Sequence, residues 1–166
     1  VLGQQRSVLY GGIIIMCGHF LLALPNLQVF YLGLSFVVIG TGLLKPNISA
    51  LVGSLYDAHG GNRESGFTIF YMSINIGSIL GFFICGYLGE NIGWHYGFAA
   101  AGFGMAIGLI QFLFLRKHLG DVGTRPHVNL SSEEKNRDLL YIFIAFLLFM
   151  GIFLMNIFGV LPINPI

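Results

Sequence analysis

Five apolar stretches, at residues 9–24, 27–52, 67–88, 98–115 and 139–161, constrain this 166-residue chain more than any other feature. Each meets or approaches the roughly 20 residues that cross a hydrocarbon core of about 30 Å. With 55 % hydrophobic and 9 % charged residues, against about 25 % charged in an ordinary soluble domain, the chain cannot hide its apolar surface from water by folding alone. The expected fold class is all-α, a polytopic membrane protein. Glycine supports this: 24 of the residues are glycine, and in lipid small side chains let helix backbones approach closely, since packing rather than hydrophobicity drives association there.

The cations sort by loop. If the first segment runs outward, the inner side holds Arg6, Arg63, Arg116, Lys117, Arg125, Lys135 and Arg137, the membrane holds Lys45, and the outer loops hold none. The positive-inside rule then orients the chain with its long connections in the cytoplasm. Trp94 and Tyr96 fall where an outer aromatic belt belongs. A net charge of +1 with no basic run gives no reason to expect a nucleic-acid partner. Arg6 ahead of an apolar run mimics a signal peptide, but the run is glycine-broken and leads straight into a second membrane segment, so that reading is rejected. Both ends read as cut.

Three parts are expected. Residues 1–115 carry four transmembrane helices, residues 116–138 form a cytoplasmic linker, and residues 139–166 carry a further helix. Near the end of the linker, Ser131 and Glu134 have capping-box spacing and are predicted to start that helix. Cys17 and Cys85 lie inside apolar segments, away from any CxxC or zinc-ligand spacing, and read as small packing residues. No cofactor or metal is expected, and no nucleophile, base or metal set marks an enzyme.

Two constellations carry chemistry. The first is Lys45 in "GTGLLKPNIS". An ammonium in the bilayer interior costs about 2.5–3.5 kcal/mol on insertion scales and is normally paired or faces water. One reading is functional: Pro46 behind it removes a helical hydrogen bond, which is tolerated where a helix lines a polar cavity. The other is snorkelling to the inner headgroups, against which stand about two further helical turns of apolar sequence. No acidic residue in the apolar segments can neutralise Lys45. Asn47 and Ser49 have a simpler reading as side chains that satisfy carbonyls freed by the proline.

The second is "FTIFYMSINIGSILGFFICGYLG". At about 100° per residue, Tyr71, Asn75 and Ser78 share one face, while Ser73, Gly77, Gly81 and Cys85 form a small-residue ridge that starts on the other side. The Asn75 amide suits either an interhelical hydrogen bond or a ligand's backbone. His19, alone on the first segment, reads as a packing or interfacial residue rather than a proton relay.

These two stretches resemble motifs of the proton-dependent oligopeptide transporters, a branch of the major facilitator superfamily. "FYMSINIGSI" is similar to that family's FYxxxNxGS signature and "GTGLLKPNISALVG" to its fourth-helix lysine motif, while "LGQQR" looks like the tail of the loop between helices two and three. "GWHYGFAAAGFGM" resembles the opening of helix six. The resemblance spans about residues 1–120. It implies helices three to six of the N-terminal bundle and one further helix, the first of a pair inserted between bundles, in the inner membrane of a bacterium.

What the resemblance implies for function is proton-coupled import of di- and tripeptides, with peptides, protons, the lipid bilayer and the remaining helices of the same transporter as partners. It places Lys45 near a proton-coupling glutamate of an ExxER motif on helix one and near the peptide carboxylate. It has Asn75 bond the peptide backbone and Tyr71 wall a side-chain pocket, with Ser78 on the same substrate-binding face. Without that glutamate and the second bundle, the chain alone is not expected to transport. Alternatives are a carrier of the same superfamily for nitrate or a drug, and a membrane protein that senses or scaffolds.

Overall fold

The structure is a computed structural model and describes residues 3–59, 62–124 and 131–157. The chain forms two units, one of residues 2–127 and a second containing residues 128–166. The first holds α1 (Gln4–Leu22), α2 (Leu27–His59) and α3 (Arg63–Gly81), a π-helical turn at Phe82–Gly86, α4 (Tyr87–Asn91), α5 (Trp94–Leu115) and a 3-10 turn at Arg116–Leu119. The second holds α6 (Ser132–Ile157). Among the described residues, four spans are long and apolar enough to cross a membrane: Gln4–Leu22, Leu27–Asp57, Arg63–Asn91 and Trp94–Leu119. The expected all-α class is therefore found, with four membrane-length apolar helices among the described residues.

Each span begins earlier or ends later than its apolar run. α1 takes in Gln4, Gln5 and Arg6, α2 continues past residue 52 to His59, and α5 starts at Trp94. Hydropathy marks the part of a helix that lies in hydrocarbon, whereas the helix itself continues while polar end residues find partners. Asn62 supplies one such end: its Oδ1 accepts from the Glu64 and Ser65 amides at 3.1 and 3.3 Å and caps α3.

α1 is the central element of the first unit. Its buried positions Gln4, Val8, Gly11, Ile15, Gly18 and Leu22 recur at three- and four-residue spacing, and Gly11, Ile15, Gly18 and Leu22 among them meet α2. The two backbones touch at glycine on both sides. A Cβ on Gly11 would stand 2.9 Å from the Gly40 carbonyl oxygen, and one on Gly18 would stand 2.9 Å from that of Gly33. Both pairs lie seven residues apart on each helix, so α1 and α2 run antiparallel in one register over two turns. α5 packs on another side of α1, with Leu109 over Gly12 and the Phe20 ring over Gly102; Phe20 also meets Phe103 edge-on at 5.4 Å.

The ends of α1 and α5 are joined by a polar clamp. Gln5, 1 % exposed, donates through Nε2 to the carbonyls of Gly120 and Val122 at 3.2 and 2.6 Å. Its Oε1 accepts from Arg116 Nε at 2.7 Å, and its backbone amide donates to Gly123 O at 3.1 Å. Residues 116–124, expected to belong to the linker, thus fold back onto the start of α1. Residues 125–130, the middle of that expected linker, lie outside the described residues.

The second unit shows the expected capping box. The Ser131 amide donates to Glu134 Oε2 at 3.0 Å and the Glu134 amide to Ser131 Oγ at 3.2 Å. α6 carries the fifth apolar run as far as Ile157; its remainder, 158–161, lies outside the described residues.

Candidate functional site

α2 passes through Pro46 without ending. A proline removes the bond to the carbonyl four residues earlier, here that of Gly42. Asn47 Nδ2 donates to Leu43 O at 2.7 Å and Ser49 Oγ to Lys45 O at 3.2 Å. Both side chains thus back-bond to carbonyls near the proline, though neither bonds to Gly42 itself.

The orientation of Lys45 follows from the α1 contact. Gly33, Val37, Gly40 and Leu44 are the α2 residues that meet α1. At about 100° per residue, Gly42, Pro46 and Ser49 fall on the opposite side, and Lys45 lies on the flank between, about 110° from the centre of the contact. Lys45 is exposed, no described residue pairs with its ammonium, and a Cβ on Gly42 would meet nothing within 4 Å. Twelve residues separate Lys45 from Asp57 on the same helix, about 18 Å of rise, so the ammonium stands deep in the span.

α2 and α3 meet at their connected ends, where the Tyr56 ring lies against Gly66 and the Arg63 guanidinium stands 3.1 Å from where a Cβ of Gly53 would be. Arg63 also pairs with Asp57 at 3.5 Å and lies over the Phe67 ring at 5.7 Å. Counting from the Tyr56–Gly66 contact at about 1.5 Å per residue, Lys45 lies roughly 16 Å along α2. Tyr71, Asn75 and Ser78 lie roughly 8, 14 and 18 Å along α3. Lys45 is therefore level with Asn75 and Ser78.

They are level but do not face one another. Gly53 and Tyr56, which meet α3, fall on the Lys45 side of α2. On α3, however, Tyr71, Asn75 and Ser78 lie about 120–180° around the helix from Gly66, while Ser73, Gly77 and Gly81 align with Gly66. The small-residue ridge is thus turned toward the α2 side, yet Cβ atoms on Gly77 and Gly81 would meet nothing within 4 Å. On both helices the small residues stand clear of described neighbours, since a Cβ on Gly42 or on Gly77 would meet nothing within 4 Å.

The three α3 residues are all exposed and differ in what they offer. The Asn75 amide makes no hydrogen bond with any described residue, so both its donor and its acceptor are available. Ser78 Oγ donates to Ile74 O at 2.9 Å and keeps only its acceptor capacity. Tyr71 stacks on Phe67 at 6.3 Å and leans on Phe70 at 5.6 Å, which steadies the ring while leaving it 57 % exposed. A π-helical turn at Phe82–Gly86 departs from the regular period just before the end of the ridge, and the Cys85 carbonyl faces Gly97 of α5 at 2.7 Å from a Cβ there. His19 lies in the last turn of α1 with a buried Nδ1 that has no partner among the described residues.

Sequence reasoning missed Gln5. Its signal was a polar pair, Gln4 and Gln5, at the edge of an apolar run, and nothing in the sequence links it to residues more than a hundred positions away.

Known proteins resemble this chain in sequence and fold. The profile of the POT family (PTR2) matches residues 5–137. The transporter YclF of Bacillus subtilis (strain 168) is 48 % identical over 136 residues, which cover 81 % of this chain and 28 % of that protein. The peptide transporter YePEPT of Yersinia enterocolitica is 36 % identical over 99 % of this chain and 34 % of its own length. A crystal structure of a POT family transporter in complex with a thioalcohol-conjugated peptide superposes with a TM-score of 0.82 at 37 % identity, covering 96 % of this chain and 33 % of that one. The chain spans about a third of the length of the relatives it matches.

Proposed function

This chain belongs to the POT family, and on that premise we propose that the whole protein is a symporter that imports di- and tripeptides with protons across the cytoplasmic membrane of a bacterium. The observation that carries this reading is Lys45: an ammonium deep in a span, without a partner among the described residues, on the side of its helix turned away from α1. An ion in that position is retained where water or an opposite charge meets it.

In this mechanism the carboxylate of a glutamate elsewhere in the whole protein pairs with Lys45 in one state. Protonation of that glutamate frees the ammonium for the peptide's terminal carboxylate. The two states then differ by one ion pair, a differential contact of the kind that biases a two-state equilibrium. Asn75, with donor and acceptor both available, bonds the peptide backbone; Ser78 accepts a hydrogen bond, and the Tyr71 ring walls a side-chain pocket. The Gly77 and Gly81 ridge, open within this chain, gives another helix close access to α3 and permits rocking during alternating access. No enzymatic step is proposed.

The test is Lys45→Ala in the whole transporter, reconstituted in liposomes. Peptide-stimulated acidification of the lumen is expected to be abolished, while peptide counterflow without a proton gradient persists at a reduced rate. Acidification at the wild-type rate would remove Lys45 from the coupling mechanism. Competition by dialanine checks the substrate class: uptake indifferent to dialanine would indicate another solute.

A further inference from the structure

Among the described residues, α3 and its continuation through α4 are pinned at both ends. At the inner end the Tyr56 ring of α2 lies against Gly66. At the outer end a Cβ on Gly97 of α5 would stand 2.7 Å from the Cys85 carbonyl oxygen, and one on Gly89 would stand 2.7 Å from the Trp94 ring. The turn between α4 and α5 tightens this second pin, with the Ile92 and Gly93 amides both donating to Leu88 O, at 3.1 and 2.8 Å. Between the pins, Cβ atoms on Gly77 and Gly81 would meet no described residue within 4 Å. The hydroxyls there bond within the helix, Ser73 to Ile69 O at 2.8 Å and Ser78 to Ile74 O at 2.9 Å.

The π-helical turn at Phe82–Gly86 adjoins the outer pin. Such a turn holds one residue more than an α-turn, and π-turns inside helices are frequent at functional sites. If the surplus residue passes to the inner side of Asn75, by stepwise exchange of i→i+5 and i→i+4 bonds, the residues it crosses turn back by about 100° and shift by about 1.5 Å. Neither pin has to move. Asn75, now about 180° around α3 from Gly66, would come to about 80°, and Ser78 would go from about 120° to about 20°. On α2, Lys45 lies about 20° around the helix from Tyr56, the residue that meets Gly66. The turn therefore carries Asn75 and Ser78 toward the Lys45 side, at the level where Lys45 stands.

We propose that this π-turn is a register switch, which passes its surplus residue along α3 and so turns Asn75 and Ser78 between the present orientation and one facing Lys45. The proposal rests on the reading of Lys45 and Asn75 as parts of one peptide site: in the second register a single short peptide can meet both. It differs from rocking, in which the whole helix tilts, because only the stretch between the pins turns. Helix register shifts of this kind take microseconds to milliseconds, and a ligand that contacts one register better shifts the populations toward it.

The experiment uses the whole transporter in nanodiscs, with Cys17→Ser and Cys85→Ser, and reads spin-label distances by pulsed electron resonance, with and without dialanine. One label is on Ile74→Cys, between the pins, or on Tyr87→Cys, beyond the π-turn. The other is on Val38→Cys of α2 or Phe114→Cys of α5, which gives two directions of view; all four positions are exposed. Turning a side-chain tip 5–6 Å from the axis through about 100° displaces it by about 8 Å. Position 74 is expected to show two distance populations several ångströms apart, whose ratio dialanine changes, and position 87 one. Deletion of Phe83 removes the surplus residue while leaving both pins in register, and should leave position 74 with one population. If that variant does not fold, the distances in the chain that keeps Phe83 decide. A single population at position 74 from both references in every condition would overturn the switch, as would equal movement of positions 74 and 87 or two populations persisting without Phe83. Dialanine that fails to bind counts against the peptide reading alone, because the two populations are also read without ligand.

Discussion

Replacing Gln5 with alanine tests whether one buried amide holds the end of α5 to the start of α1. The side chain makes two neutral hydrogen bonds, to Gly120 O and Val122 O, and one charge-assisted bond from Arg116 Nε. Neutral bonds contribute about 1 kcal/mol each and bonds to a charged partner about 1.5–3. Alanine therefore costs the clamp roughly 3–5 kcal/mol locally. A clean reporter exists, because the Gln5 amide lies in the first turn of α1, where no intrahelical acceptor is present, and it donates instead to Gly123 O at 3.1 Å. Its hydrogen exchange in the whole transporter reports opening of this contact and little else. With each 1.4 kcal/mol worth a factor of ten, Gln5→Ala should speed exchange at this amide by at least about a hundredfold. Gln5→Leu, which keeps most of the volume, should do nearly the same, since polar bonds rather than packing are lost. Exchange within threefold of wild type in both variants would show that residues 116–124 are held by something other than Gln5, and the reasoning would fail.

Other substitutions probe the packing. Gly40→Leu should separate α1 from α2, because even a Cβ there would stand 2.8 Å from the Gly11 carbonyl oxygen and from the Ile15 amide nitrogen; thermal unfolding of the whole protein is expected to fall sharply, and an unchanged midpoint would refute the glycine contact. Gly66→Ala should be destabilising through its clash with the Tyr56 ring, and Tyr56→Ala in the same chain should recover much of the loss; a rescue of zero means that the two do not touch. Ser131→Ala removes one partner of the capping box and should cost about 1 kcal/mol of helix stability, seen as faster exchange in the first turn of α6.

The spans were legible in sequence because hydrocarbon imposes a length and forbids charge, and both can be read residue by residue. The capping box was legible for a similar reason: its two partners are three residues apart, and local chemistry decides the bond. The α3 face bearing Tyr71, Asn75 and Ser78 was readable from periodicity alone. The π-helical turn at Phe82–Gly86 was not legible, because nothing in "FFICG" announces a departure from the regular period.

What sequence alone determined is thus the number and order of the spans, their close glycine-mediated packing and the unusual presence of Lys45 among apolar residues. Only the tertiary structure decided which glycines meet which backbone, that Gln5 joins two helix ends, and that Lys45 lies off the α1 contact. The physical reason is that a soluble helix shows its buried side by contrast with a polar one, whereas a helix in lipid is apolar all round. Without that contrast, the choice of neighbour rests on the fit between surfaces, and fit is a property of the assembled helices.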